Sequence, residues 1–156
     1  MPLRFVTRLS KVLTIASVIV FAVSLTQDAY YIDREDPRAY SAAWMLLLIG
    51  WLGLLDGIFA WLANPVLFAA WIFSFAGKKK LALLFAPLAS VFMVAFLFRQ
   101  SIIVSEAPTY AKITGYGAGY WLWLTSAMLA IIAALVGLFI RAAAFPRGGA
   151  TGAPSS

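Results

Sequence analysis

Four long hydrophobic runs with very few charged residues divide the chain, and short polar or charged stretches separate them. A bilayer core about 30 Å thick needs roughly 20 apolar residues of helix to cross it, and each run is long enough. Polar and apolar residues do not alternate within the runs, so the pattern predicts helices rather than the strands of a barrel. The predicted spans cover about residues 9–26, 42–63, 81–104 and 117–140.

The composition also indicates a membrane protein. Of the 156 residues, 63% are hydrophobic and 12% are charged, and the mean hydropathy is +0.93, whereas about a quarter of a soluble domain is charged. The sequence therefore predicts an all-α integral membrane protein with a single four-span domain over residues 1–145. Residues 146–156 are rich in Gly, Ala, Pro and Ser and are predicted to form a disordered tail.

The basic residues predict the orientation of the spans. If the spans alternate, eight of the twelve Lys and Arg residues fall on one side, and the positive-inside rule makes that side cytoplasmic. Both termini then face the cytoplasm of a protein in the cell (inner) membrane. Because such flanking charges orient membrane proteins, the net charge of +6 does not indicate nucleic-acid binding. The eight residues are Arg4, Arg8, Lys11, Lys78, Lys79, Lys80, Arg141 and Arg147.

The first hydrophobic run also has features of a secretory signal peptide. Basic residues precede an apolar stretch from Val12 to Val23, and the small residues Ala22 and Ser24 follow near its end. The apolar run continues through Leu25 without a good cleavage site, which favours a retained span. Cleavage would leave three spans in the same orientation.

The second run is too long for one straight span, because about 35 residues of helix would measure about 52 Å. Asn is a strong N-cap and Pro is favoured at the first helical position, so Asn64 and Pro65 predict a helix break. A short helix over about residues 65–76 would follow it. This helix could lie along the cytoplasmic interface, re-enter the bilayer partway, or continue the span beyond a kink. Its aromatic residues favour the interface: Phe68, Trp71, Phe73 and Phe75.

Small residues recur at helical spacing inside the spans. Such stripes let helix backbones approach closely in lipid. They either hold this one bundle together or form the interface with an oligomer or a partner, and their spacing does not separate the two. The predicted packing residues are Gly53, Gly57, Ala60, Ser126, Ala130 and Gly137.

Asp56 is the only charged residue within the second run. The first span carries a hydroxyl stripe on one helical face, at steps of four, three and seven residues: Ser10, Thr14, Ser17 and Ser24. Counting 1.5 Å per residue from the span centres puts Asp56 at a depth similar to that of Thr14 in this stripe, and near that of Ser90. Arg99 lies too far toward the opposite surface to pair with it. An intramembrane acid is a candidate functional site, and a hydrogen-bonded structural role is the alternative. The candidate polar site is Asp56, Thr14, Ser17 and Ser90.

The loops on the outer side carry the remaining charges and an aromatic belt. The charged candidates are Asp33, Glu35, Asp36, Arg38 and Glu106. They are predicted to form solvated loops with local ion pairs, because the carboxylate spacing is not that of a calcium loop and arginines compete for them. Tyr30, Tyr31, Tyr40 and Trp44, and in the second loop Tyr116, Tyr120, Trp121 and Trp123, are typical interface anchors.

The absence of Cys and His limits the chemistry that this chain can perform. It excludes thiol redox reactions, the common zinc sites and a Ser-His-Asp triad, and we expect no catalytic residue, metal or cofactor. The sequence favours a non-enzymatic accessory or interaction subunit that packs against a protein partner or a second copy. The alternative is a small oligomeric transporter or channel that uses Asp56 and the hydroxyls of the first span, and a membrane enzyme ranks third.

Overall fold

The computed structural model describes residues 3–103 and 109–144, and in this part it is mostly helical, as predicted. Glu106 and the predicted tail at 146–156 lie outside the described residues. The helices are α1 (Leu3–Ser24), α2 (Ala43–Ile49), α3 (Ala63–Phe75), α4 (Lys79–Phe96) and α5 (Ala118–Ala144), with 3-10 helices at Gly50–Asp56 and Phe59–Leu62. The strands are β1 (Tyr30–Ile32), β2 (Ser101–Ile103) and β3 (Tyr110–Tyr116).

Four helices form the bundle. α1 packs along α5, α5 packs along α4, and α4 packs along α3, so that α4 and α5 lie at its centre. The helices approach each other closely because small side chains lie between them: Ala86 and Ala89 of α4 and Ala127 of α5 are completely buried. In lipid, where hydrophobicity does not drive helices together, such small faces allow dense packing.

Two helices, Lys79–Phe96 and residues 118–139 of α5, are long and apolar enough to cross a membrane. The structure does not support four continuous spans, because the second predicted span is not one helix. We call residues 43–62 the interrupted segment, since α2 gives way there to two 3-10 helices. Glycine has a poor helix propensity, and Gly57 adopts a left-handed φ of 69° that ends the first 3-10 helix.

The chain breaks at Gly57 and not at the predicted Asn64 and Pro65. α3 already begins at Ala63, directly after the second 3-10 helix, and no side chain caps it. Pro65 lies in its first turn, where a missing N–H costs nothing. Leu67 and Ala70 are completely or almost completely buried, and α3 packs along α4. α3 is therefore part of the bundle rather than a helix lying along its surface.

A three-stranded antiparallel sheet corrects the all-α prediction. β3 is central and pairs with β1 on one side and β2 on the other, with Tyr30 opposite Tyr116 and Ile102 opposite Ala111. Because β1 follows α1 while β2 and β3 connect α4 to α5, the sheet joins two loops that are distant in sequence. We call this end of the bundle the sheet end. Tyr30, Ile32, Ile102 and Ala111 are buried together in a small core.

The start of α5 lies directly against the end of the first loop. Gly117 and Gly119 donate backbone hydrogen bonds of 2.9 Å to the carbonyl oxygens of Ala29 and Asp28. A Cβ atom on Gly117 would collide with the Asp28 carbonyl oxygen, and one on Gly119 would lie 2.8 Å from it. Gly117 and Gly119 thus allow the close approach that anchors the sheet to the bundle.

Candidate functional site

The hydroxyl stripe of α1 hydrogen-bonds to neighbouring helices. Ser10 donates to the Ala133 carbonyl oxygen at 2.8 Å, and Ser17 donates to the Ser126 carbonyl oxygen at 2.6 Å. The Thr14 and Ser74 hydroxyls lie 2.8 Å apart. These bonds connect α1 to α5 and to α3, so the three hydroxyls are engaged in holding helices together.

Two longer side chains also bond to this set of hydroxyls. We call the whole set the polar seam: Ser10, Thr14, Ser17, Ser74, Trp71 and Lys79. The indole N–H of Trp71 donates to the Ser17 hydroxyl at 2.8 Å. The buried ammonium group of Lys79 donates to the carbonyl and hydroxyl oxygens of Ser74 at 2.8 and 2.9 Å. The seam is thus a set of paired groups between packed helices rather than an open polar path.

The structure does not bring Asp56 to these hydroxyls. Asp56 is exposed, its main-chain oxygen accepts a 2.9 Å hydrogen bond from the Arg99 guanidinium, and Ser90 donates instead to the Ala86 carbonyl oxygen at 3.2 Å. Counting depth along the run presupposes one straight α-helix, whereas α2 ends at Ile49 and a 3-10 helix carries the chain to Asp56. Arg99, which the depth count excluded, is therefore the neighbour of Asp56.

The predicted packing residues separate into two groups. Gly53, Gly57 and Ala60 lie in the interrupted segment, and the nearest neighbour of Gly53 is Ile58 of the same segment. They do not form one helical face. In α5, Ser126 and Ala130 are buried, while the stem of Lys79 lies close to Gly137.

The charged loop residues make local contacts in and around the sheet. The Asp33 carboxylate accepts a 2.5 Å hydrogen bond from the backbone N–H of Lys112, and Asp36 accepts one of 3.0 Å from the backbone N–H of Arg38. Arg38 is also 3.7 Å from the Asp28 carboxylate, while Glu35 is exposed. Within residues 3–103 and 109–144, no group of three or more carboxylates is placed to hold a metal ion.

A cavity of about 330 Å³ lies between the sheet and the bundle. Its wall comes from the end of α1, the interrupted segment, the beginnings of α3 and α5, the end of α4 and the sheet. This volume falls at the lower end of the range of about 300–1,000 Å³ found for small-molecule sites. The wall is mostly apolar, as Leu46, Ile58 and Phe96 illustrate. Sequence reasoning missed it because the cavity depends on the break in the second run and on the sheet.

Most polar groups on the cavity wall have protein partners. The Tyr30 and Tyr120 hydroxyls donate to the carbonyl oxygens of Tyr40 and Met93, both at 2.9 Å. The indole N–H of Trp61 donates to the Leu47 carbonyl oxygen at 2.9 Å. Burial raises the pKa of the Tyr30 hydroxyl to about 12, so this group is neutral at physiological pH.

Among the described buried polar side chains of this wall, the Asn64 amide is the exception. Its oxygen accepts a 2.9 Å hydrogen bond from the indole N–H of Trp123, but among the described residues its nitrogen has no hydrogen-bond partner. The side chain is 7% exposed. No side-chain nitrogen or oxygen in the described part of the chain is both fully enclosed and unpaired, so the amide nitrogen borders the cavity that Asn64 lines.

These observations place the candidate site in the cavity rather than at the predicted group of Asp56 and hydroxyls. Asp56 lines the cavity, while Thr14, Ser17 and Ser90 do not. The signal for Asn64 in the sequence was a polar residue inside an apolar run, although its position suggested a helix cap. No protein-family model matches the chain, and no curated protein or solved structure is significantly similar to it.

Proposed function

We propose that this chain is a non-enzymatic, multi-pass protein of the cell (inner) membrane that serves as an interaction subunit of a membrane complex. α4 and α5 supply two passes, α1 a third, and the interrupted segment together with α3 the fourth. The lysines at residues 78–80, just before and at the start of α4, support a cytoplasmic position for that end of the bundle. Both termini would then be cytoplasmic and the sheet end would face outward.

One observation carries the proposal of a partner: the interrupted segment combines irregular backbone with exposed apolar side chains. Leu55 is 81% exposed, and Leu48 and Phe59 are exposed beside it, while Gly57 interrupts the helical hydrogen bonding. Irregular backbone at membrane depth occurs where protein covers it or where it lines a water-filled cavity. The apolar surface disfavours water, and we infer that another protein subunit covers residues 48–59.

The alternative function, a small oligomeric transporter or channel that uses Asp56 and the first-span hydroxyls, has less support. Ser10, Thr14 and Ser17 are occupied with bonds to other helices, and Asp56 lies apart from them. A proton or solute path would need polar groups in a continuous row. We therefore favour the interaction subunit.

The test is photo-crosslinking in native membranes from position 55. A photoreactive residue replaces Leu55 in one variant and Val91 of α4, which is similarly lipid-exposed, in the control variant. We expect position 55 to capture one protein in stoichiometric yield, identified by mass spectrometry, and position 91 to give lipid adducts only. Capture of a second copy of this chain would make the partner a homo-oligomer. Lipid adducts alone at both positions, with a monomer after mild-detergent purification, would contradict the proposal.

Proton or solute transport by the purified protein in liposomes would support the alternative, provided that Asp56→Asn abolishes it. Release of the chain from membranes by alkaline extraction would overturn the membrane placement itself. These two outcomes are independent of the crosslinking result.

A further inference from the structure

We infer that the cavity at the sheet end binds an esterified acyl chain of a membrane glycerolipid, and that the unpartnered amide nitrogen of Asn64 donates a hydrogen bond to its ester carbonyl oxygen. The inference rests on the membrane placement proposed above but not on the existence of a protein partner. It assigns a ligand class to the cavity and a recognition role to one residue.

The wall of the cavity selects an apolar ligand. Leu46, Ile58, Phe96 and Ile102 present hydrocarbon surface to the space. Water occupies cavities that offer it several polar partners, whereas cavities lined by apolar side chains stay dry and accept apolar molecules. A flexible hydrocarbon chain matches this irregular wall better than a rigid polar molecule does.

Asn64 adds a requirement for a hydrogen-bond acceptor. The Trp123 indole can only donate, and its bond to the Asn64 amide oxygen therefore fixes which end of the amide points into the cavity. The nitrogen at that end is a donor on a side chain that is 7% exposed. A donor that faces a dry cavity without a partner costs about 1–3 kcal/mol, so a ligand that brings an acceptor is favoured over a pure hydrocarbon.

Charge then distinguishes an ester from a free acid. Among the described residues that line the cavity, Asp56 is the only charged one. Its carboxylate disfavours an anionic ligand such as a fatty-acid carboxylate, and the wall offers no cation to balance one. An ester carbonyl is neutral and accepts the same hydrogen bond, so the observations favour an esterified chain.

The cavity is accessible from the side of the bundle. Ile49 lines the cavity and is also 46% exposed, so the wall and the outer apolar surface meet at the interrupted segment. In the protein without a partner, a lipid in the leaflet at the sheet end could pass one chain inward there while its headgroup stays at the interface.

The first experiment locates the chain by photolabelling. The purified full-length protein is reconstituted in phosphatidylcholine vesicles that contain a diester phosphatidylcholine with a diazirine on one acyl chain, and adducts are mapped by mass spectrometry. We expect adducts at Ile102, which is 7% exposed and lies out of reach of the surrounding lipid. Adducts that occur only on the outer apolar surface would overturn the proposal.

Two matched variants show whether the cavity itself takes the chain. Ala43 lines the cavity, and Ala43→Phe should fill it and lower the Ile102 adduct at least fivefold. Ala22 is exposed on α1 at the same end of the bundle, and Ala22→Phe should leave the adduct unchanged. An unchanged adduct in a folded Ala43→Phe protein, verified by circular dichroism and gel filtration, would also overturn the proposal.

The second experiment tests the role of Asn64 by competition against the photolabel. Unlabelled diester lipid should compete about fivefold better than a diether lipid of equal chain length, which is the ratio that one net hydrogen bond of about 1 kcal/mol gives. Asn64→Leu should remove this preference. Asn64→Leu also leaves the Trp123 indole N–H without its acceptor. The double variant Asn64→Leu with Trp123→Phe removes that N–H as well, and it should show the same loss of preference.

Equal competition by ester and ether lipids in the unsubstituted protein would overturn the assignment of Asn64. If a free fatty acid competed as strongly as the diester lipid, the assignment of the ligand as an esterified chain would be overturned. All of these measurements use the protein without a partner, so they can fail while the interaction-subunit proposal stands, and the reverse also holds.

Discussion

The aliphatic stem of Lys79 crosses α5 at Gly137, where a Cβ atom would lie 2.7 Å from its Cδ atom and 2.8 Å from its Cε atom. The ammonium group beyond this stem is bonded to Ser74, so the stem is held at its far end. Gly137 therefore permits a buried lysine to pass between α4 and α5.

Substitution of Gly137 by Ala should destabilise the protein, although Ala favours helix by about 1 kcal/mol over Gly. Displacing the anchored Lys79 stem should cost about 1–3 kcal/mol, as overpacking does. The measurement is thermal unfolding in detergent, followed by circular dichroism. In a Lys79→Ala background the same Gly137→Ala change should become neutral or stabilising, and an undiminished penalty there would show that the stem is not the cause.

Removal of the Ser17 hydroxyl should destabilise the bundle by about 1–3 kcal/mol, because Ser17→Ala leaves the buried Trp71 indole N–H without its acceptor. Thr125 is the control: it is exposed and bonds only the Trp121 carbonyl oxygen one turn away. Thr125→Val should change stability by less than about 0.5 kcal/mol. Equal losses in the two variants, measured in the same unfolding assay, would argue against the seam as a source of stability.

Substitution of Gly117 by Ala should separate the sheet from the bundle, because the new methyl group would collide with the Asp28 carbonyl oxygen. We expect a loss of at least about 2 kcal/mol and faster hydrogen exchange across β1 and β3. Gly115, two residues earlier, has more room, because a Cβ atom there would lie 3.9 Å from its nearest neighbour, the Tyr31 ring. Gly115→Ala should therefore be nearly neutral.

Alkaline pH should destabilise the sheet end through Tyr30. Its pKa is about 12 in the folded protein and about 10 when unfolded, so above pH 10 the unfolded chain loses a proton that the folded chain retains. Stability should be unaffected below pH 10 and should fall by up to about 3 kcal/mol as the pH rises from 10 to 12. Tyr30→Phe should reduce the loss of stability over this pH range, and an identical slope in that variant would assign the effect to another group.

Substitution of Asp56 by Asn should leave stability within about 0.5 kcal/mol of the starting protein, because Asp56 is exposed and its contact with Arg99 uses the main-chain oxygen. Equilibrium unfolding of the purified protein provides the measurement. A loss above about 2 kcal/mol would indicate that the carboxylate has a structural partner.

The sequence was informative where local periodicity decides the structure. Apolar runs predict helices because lipid leaves backbone groups no other partner, and the spacing of Ser10, Thr14 and Ser17 put them on one face of α1. Counting depth along the second run failed for Asp56, because the α-helix that the count assumes ends at Ile49, before a 3-10 helix and the left-handed Gly57. A glycine in a hydrophobic run can belong to a packing stripe or to a turn, and its neighbours in the sequence do not distinguish the two.

The sheet could not be predicted because it depends on pairing across a long sequence separation. β1 and β2 have three residues each, which is too short for an alternating pattern to stand out from a loop. Asn64 was misleading for a related reason. Its position before Pro65 is typical of a helix cap, whereas its actual partner, Trp123, is supplied by a different helix.

The central place of β3 in the sheet has a consequence for the order of assembly. β1 leaves the ribosome early, but its partner, residues 110–116, is made only after α4 is complete. During synthesis β1 stays unpaired until β3 has been made. The cavity also stays incomplete until the residues just before α5 have reached the sheet end of the bundle. A nascent chain that ends before residue 110 would lack β3 and α5, and with α5 part of the cavity wall, so the proposed lipid could bind only after these elements have been made.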